Sequence, residues 1–172
     1  EIAAMEQQTN LAYANASQPL VLDQQRLYTQ RNLLYDQQLA SSLLTMSQQP
    51  DKALSVDLDG YFTDPHQKQA AKLALTNQLA IITGGPGTGK TTTVVKILAL
   101  LLEQNPALSI ALCAPTGKAA MRLQESIANG KRDRDNVAGL FAPQTLDIIP
   151  EKVSTIHRLL GSIAKSVQFR HN

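Results

Sequence analysis

Leu79-Ala80-Ile81-Ile82-Thr83-Gly84-Gly85-Pro86-Gly87-Thr88-Gly89-Lys90-Thr91 is the stretch that decides the fold. From Gly84 it follows the phosphate-loop pattern of glycine, four free positions, glycine, lysine and a hydroxyl residue. The apolar run over 79–83 leads in as a strand. After the loop, Val94, Val95, Ile97, Leu98, Leu101 and Leu102 recur at helical spacing up to about Glu103. Strand, glycine-rich loop and helix in that order predict a nucleoside triphosphate site. Glycines let the backbone N–H groups and the helix start wrap closely around an anion. Lys90 is then placed to reach the β- and γ-phosphates, and the Thr91 hydroxyl to ligate Mg²⁺. The expected nucleotide contacts are Gly84, Gly85, Pro86, Gly87, Thr88, Gly89, Lys90 and Thr91, with Lys90 and Thr91 in the catalytic roles. Thr92 has two readings, a contact near the α-phosphate or simply a helix-start residue.

Upstream, Asp64-Pro65-His66-Gln67 has an N-cap acid, proline at the first helical position and glutamine at the third. That is a capping-box pattern, and the helix it opens runs through Ala70, Ala71, Leu73, Ala74 and Leu75 to Asn77. Downstream, a strand is expected over 108–114 and a helix over 117–129. Residues 131–152 begin with Lys131-Arg132-Asp133-Arg134-Asp135 and contain Pro143 and Pro150, which reads as a long surface connection. A short helix with Ile156, Leu159 and Leu160 is expected after Ser154. Strands alternating with helices imply an α/β domain with a parallel sheet and covered faces.

Residues 1–60 differ in character, being rich in Gln, Asn, Ser and Leu, with Gly60 their first glycine. Asp23 is placed to cap a helix running to about Met46, with Leu27, Leu34 or Tyr35, Leu39 and Leu43 on one apolar face. Such a face is expected to pack on something. Ser47-Gln48-Gln49-Pro50-Asp51 ends that helix, and Asp57-Leu58-Asp59-Gly60 reads as a turn. A mainly helical region over 1–60 and an α/β domain over 61–172 follow.

The chain has 172 residues and begins at Glu1, which reads as a piece of a longer protein. Hydrophobic residues make up 43%, enough for a core, while 17% charged residues and a net charge of +2 describe an ordinary surface. Charge therefore neither announces nor excludes nucleic acid. The single cysteine, Cys113, lies in an apolar run and is expected in the core. The apolar stretches are far shorter than the ~20 residues of a membrane span. No membrane association and a reducing, cytoplasmic setting are the expectation.

A second loop carries chemistry. Ala114-Pro115-Thr116-Gly117-Lys118-Ala119-Ala120 follows a strand and opens a helix, so Thr116 and Lys118 sit at the strand's carboxyl end, where ligands of open α/β sheets gather. The segment is either a capped turn with a solvated lysine or a phosphate contact for a nucleic acid backbone.

Gly-Gly-Pro-Gly-Thr-Gly-Lys-Thr-Thr-Thr at 84–93, Ala-Pro-Thr-Gly-Lys-Ala-Ala at 114–120 and Ser-Thr-Ile-His-Arg-Leu-Leu-Gly at 154–161 resemble three motifs of superfamily 1B DNA helicases. Within that group the wording is most similar to the RecD family, alpha subunits of RecBCD-type exodeoxyribonuclease V complexes. The resemblance implies the first part of a RecA-like domain that binds ATP and Mg²⁺ and works in 5′-to-3′ translocation along single-stranded DNA in double-strand-break repair. It implies that Gln67 recognises adenine, a role compatible with its capping position. It implies that Thr116, Lys118, Thr155 and His157 lie along the DNA path, although His157 also reads as a histidine satisfied within a short helix. Arg122 and Arg158 read first as helix-surface charges. Leu20-Val21-Leu22, Arg26-Leu27-Tyr28 and Arg31 resemble the family's amino-terminal domain, which implies the beta and gamma subunits as partners, the gamma subunit packing on that domain.

No segment after the phosphate loop reads as a strand closed by paired acids, and Asp147 precedes its apolar neighbours instead of ending a strand. Hydrolysis needs an acid for Mg²⁺ and a group that orients water. The chain alone is therefore expected to bind nucleotide without turning it over. A phosphotransferase acting on a small acceptor, and a non-catalytic nucleotide-binding interaction domain, are the alternatives.

Overall fold

A computed structural model describes residues 19–23, 25–48, 53–54 and 56–161. The chain divides into two compact units, one within residues 1–50 and the other within 51–172. The division precedes the change in composition near Gly60.

In the first unit, β1 (Leu20–Asp23) and β2 (Arg26–Thr29) form an antiparallel hairpin, followed by α1 (Gln30–Ser47). Val21 faces Tyr28 and Leu22 faces Leu27, with Gln25 in the left-handed region at φ 67° in the connection. The expected helix from Asp23 is therefore corrected at its start. Val21, Tyr28 and Thr29 are β-favouring and lie in the hairpin strands, and the cap is Thr29, whose hydroxyl accepts from the Asn32 N–H at 3.3 Å. Leu33 is the buried residue of α1, while Leu34, Tyr35, Leu39 and Leu43 are exposed. Residues 49–51 of the expected breaker lie outside the described residues.

In the second unit the elements are α2 (Pro65–Thr76), α3 (Lys90–Gln104), β3 (Leu112–Ala114), α4 (Gly117–Arg132), a π-helical turn (Arg134–Ala138), α5 (Pro143–Ile148), β4 (Val153–Thr155) and α6 (Ile156–Leu160). The central element is α3. Val95, Ile97, Ala99, Leu100 and Leu102 are all buried along it, joined by Ala71 and Leu75 of α2 and Ile127 of α4. A Cβ on Gly130 would lie 3.0 Å from Val95 Cγ2, so a glycine there allows α4 to approach α3 closely.

β3 and β4 pair in parallel, with Leu112 beside Val153, Cys113 beside Ser154 and Ala114 beside Thr155. This is the parallel α/β arrangement expected. Two segments are less regular than their sequence suggests. Strand 108–114 shortens to three residues, matching the three that β4 offers it. Residues 79–83 belong to no ladder among the described residues, and Ile81 is 77% exposed. Apolar β-branched sequence becomes a strand only where a neighbour takes up its backbone hydrogen bonds.

Two further expectations are corrected. Cys113 is exposed, because alternation along β3 turns it away from the face that buries Ala114. The segment 131–152 is no surface connection. Val137, Phe141, Leu146 and Ile149 are all buried within it, and the Phe141 ring stacks on Tyr61 with centroids 5.1 Å apart. Pro143 opens α5 at its first position, where a missing N–H costs nothing. Lys131 anchors the far end, donating to the Ile149 carbonyl at 3.2 Å and to Glu151 Oε1 at 2.8 Å.

Candidate nucleotide-binding site

The phosphate loop closes on itself before α3 begins. Gly87 and Gly89 take φ values of 76° and 73°, the left-handed region that other residues enter only at a cost. Gly89 is the N-cap of α3 and has no side chain, so no side-chain acceptor meets the first-turn N–H groups at the cap. Those donors, together with the positive end of a 15-residue helix, suit an anion, and the loop fits a nucleoside triphosphate on that ground. Within the loop, Thr88 Oγ1 donates to the Gly85 carbonyl at 3.0 Å, and Lys90 Nζ donates to the carbonyls of Gly84 and Gly85. Gly84, Gly85, Pro86, Gly87 and Thr88 are exposed, and Lys90 is half-buried.

α2 reaches the loop through Gln67. Asp64 caps the helix, its Oδ1 accepting from the N–H groups of His66 at 2.7 Å and Gln67 at 3.0 Å. The expected return bond from the Gln67 side chain to its own cap is replaced by one to the loop. Gln67 Nε2 donates to the Thr88 carbonyl at 3.3 Å. A cleft of about 290 Å³ opens there, lined by Gln67 and Ala70 of α2 and by Ile82, Gly84, Thr88 and Lys90. Apolar Ile82 and Ala70 beside an amide side chain make it a place for a flat, partly polar group.

The structure thus brings Gln67, Gly84, Thr88 and Lys90 together. Thr91 and Thr92, on the first turn of α3, line a separate polar recess with Ser126, Asn129 and Asp133. Sequence reading missed Ala70 and Thr93 as lining residues. Each lies three positions after a recognised one, Gln67 and Lys90, and that helical spacing was the available signal.

The second set of residues meets at the sheet edge. Because β3 and β4 run parallel and in register, Ala114 and Thr155 end side by side; β4 passes directly into a capped helix, and β3 does so after Pro115 and Thr116. Thr116 caps α4, accepting from the Ala119 N–H at 3.2 Å; Thr155 caps α6, accepting from the Arg158 N–H at 3.3 Å. Lys118 and His157 are exposed in the first turns that follow. Asp147 lies in α5 and ends none of the strands among the described residues.

An AAA domain family matches residues 67–172. RecBCD enzyme subunit RecD of Mycolicibacterium smegmatis is 41% identical over 160 residues, 85% of this chain and 27% of the relative. The subunit of the same name from Haemophilus influenzae is 45% identical over 125 residues, 67% of this chain and 19% of the relative. The ATP-dependent RecD2 DNA helicase of Deinococcus radiodurans is 44% identical over 96 residues, 56% of this chain and 10% of the relative. The chain spans about a quarter of the length of the mycobacterial relatives, at 27% and 24%. No helix among the described residues is long and apolar enough to cross a membrane. With its phosphate loop, parallel sheet and matched residues 67–172, the chain belongs to the AAA domain family and is RecD-like within it.

Proposed function

We propose that this chain is the ATP-binding part of a cytoplasmic 5′-to-3′ DNA helicase subunit in a RecBCD-type exonuclease complex, working beside beta and gamma subunits in double-strand-break repair. The observation that carries the reading is the pairing of Ala114 with Thr155. It supports a single track at the carboxyl edge of the sheet, formed by Thr116 and Lys118 from one loop and Thr155 and His157 from the other, in the same unit as the phosphate loop. Single-stranded DNA phosphates are its ligand.

In this reading the loop N–H groups from Gly84 to Gly89 and Lys90 hold the phosphates, and Thr92 lies near the α-phosphate. Thr91 would hold Mg²⁺, which supplies charge neutralisation at the transferred phosphoryl group. Gln67 reads the adenine edge. β3 ends in Ala114 and β4 in Thr155, so neither strand supplies the acid that holds the metal through hydrolysis. The chain alone accordingly binds nucleotide and does not turn it over, while the complete subunit does.

Two variants of the complete protein test the division of labour. Lys90→Ala is expected to lower DNA-stimulated ATPase by roughly 10²-fold or more, the scale for removing one donor to a transition-state charge. Lys118→Ala is expected to weaken single-stranded DNA binding and leave ATP affinity in place. Equal loss of ATP affinity in both variants would overturn the assignment.

A further inference from the structure

Lys96 is a buried lysine on the phosphate-loop helix with no part in holding the phosphates. It lies six positions after Lys90, about 9 Å along the helix axis. It is only 7% exposed, unusual for an ammonium. Its Nζ donates to the Tyr61 carbonyl at 2.7 Å and stands 5.2 Å from the centroid of the Phe62 ring. Burial lowers its pKa, with the negative charge of Asp133 acting in the opposite direction.

The residues it grips are those that aim α2. Tyr61 and Phe62 each donate their N–H to the Leu58 carbonyl, forming a tight turn whose apolar members Leu58 and Phe62 are buried. Two residues later Asp64 caps α2, and Gln67 follows in its first turn. α2 is therefore tied to the phosphate-loop element twice. Gln67 holds the loop at Thr88, and Lys96 holds the turn before the cap from well inside α3. An apolar residue at 96 would fill the space equally well without desolvating a charge. What the lysine adds is direction, a charge-assisted bond with a fixed length to one carbonyl.

We propose that Lys96 is a positioning residue for base recognition: through the Tyr61 carbonyl and the Phe62 ring it fixes where α2 presents Gln67 to the bound nucleoside. This rests on the reading of Gln67 as the adenine-recognising residue. Lys96 touches no phosphate in this scheme, so its loss acts on base preference rather than on triphosphate affinity as a whole.

The test is equilibrium binding of ATP and GTP to the complete protein, measured by competition with a fluorescent nucleotide, alongside unfolding temperature. Lys96→Met keeps the stem and removes the cation. It is expected to weaken ATP about five- to tenfold, the scale of one ordinary hydrogen bond, and GTP much less. Lys96→Arg, which keeps a cation and donors, is expected to restore most of the preference. In a Gln67→Ala background Lys96→Met should change the ATP-to-GTP ratio no further. Phe62→Leu provides a second route to the same shift if Lys96→Met does not fold. An equal loss for both nucleotides, or a lower unfolding temperature with the ratio unchanged, overturns the positioning role. A ratio unaffected by Gln67→Ala itself overturns the base-recognition reading, and the inference with it.

Discussion

The Gln67 side chain donates to the Thr88 carbonyl at 3.3 Å, and its Nε2 lies 2.7 Å from where a Cβ on Gly89 would stand. One residue of α2 thus rests on the backbone of the phosphate loop where only a glycine leaves it room. Gly89→Ala should act twice. The φ of 73° costs an L-residue about 1–2 kcal/mol, and the new methyl displaces the Gln67 amide. Chemical denaturation and ATP titration together check this: lower stability with weaker ATP binding is expected. Unchanged values of both would show that the loop relaxes freely around the methyl.

Leu100 is 0% exposed at the centre of α3, within the cluster that joins α2, α4 and the 137–149 segment. Leu100→Ala is expected to cost about 2–5 kcal/mol in denaturant unfolding, through lost burial and the cavity left behind. Leu73 lies on α2 but is 47% exposed, and Leu73→Ala should fall within about 0.5 kcal/mol of the parent. Similar losses in the two variants would place the core elsewhere.

What could be read from sequence tracks how local the determining physics is. The phosphate loop, the Asp64 cap and helices α2 to α4 depend on residues within a few positions of each other, and these were legible. The face of Cys113 was not, because it depends on which side of a three-residue strand is covered. Residues 131–152 were misjudged for a related reason. Charges at 132, 134 and 135 and the proline at 143 mark the surface side, while Val137, Phe141, Leu146 and Ile149 turn inward at spacings that fit no single regular period. In the first unit, Asp23 was a plausible cap, but pairing of Leu20–Asp23 with Arg26–Thr29 moved the helix start to Thr29. For the candidate site, sequence named Gln67 and Lys90, yet only the packing of α2 against α3 reveals that Gln67 reaches the loop and that Lys96 reaches Tyr61.

Lys118 stands exposed four positions past Ala114, the residue of β3 that pairs with the last residue of β4. A lysine that neutralises one phosphate of single-stranded DNA releases its counterion, so Lys118→Ala should reduce the slope of log K against log salt by about 0.7. Binding at several salt concentrations measures this directly. A parallel line, displaced or not, would remove Lys118 from direct phosphate contact. General misfolding would look different again, flattening the slope by several counterions at once.

Glu151 is held by Lys131 just ahead of β4, and that pair makes the entry into this strand sensitive to acid. The hydrogen bond from Lys131 lowers the Glu151 pKa, its charge acts in the same direction, and together they outweigh an opposing desolvation effect, with Arg132 adding less. A carboxyl with a depressed pKa in the folded state contributes stability above its ordinary range. That contribution is lost as pH falls through the folded value. Wild type should therefore be slightly more stable than Glu151→Gln near neutrality, and the two should converge in acid, below the ordinary glutamate value of about 4.3. Because Glu151 is exposed, the gap should also narrow with added salt. Thermal unfolding across a pH series at low and high salt gives both readouts. A constant gap through the acid range would mean that the Lys131 bond to the Ile149 carbonyl holds this segment by itself.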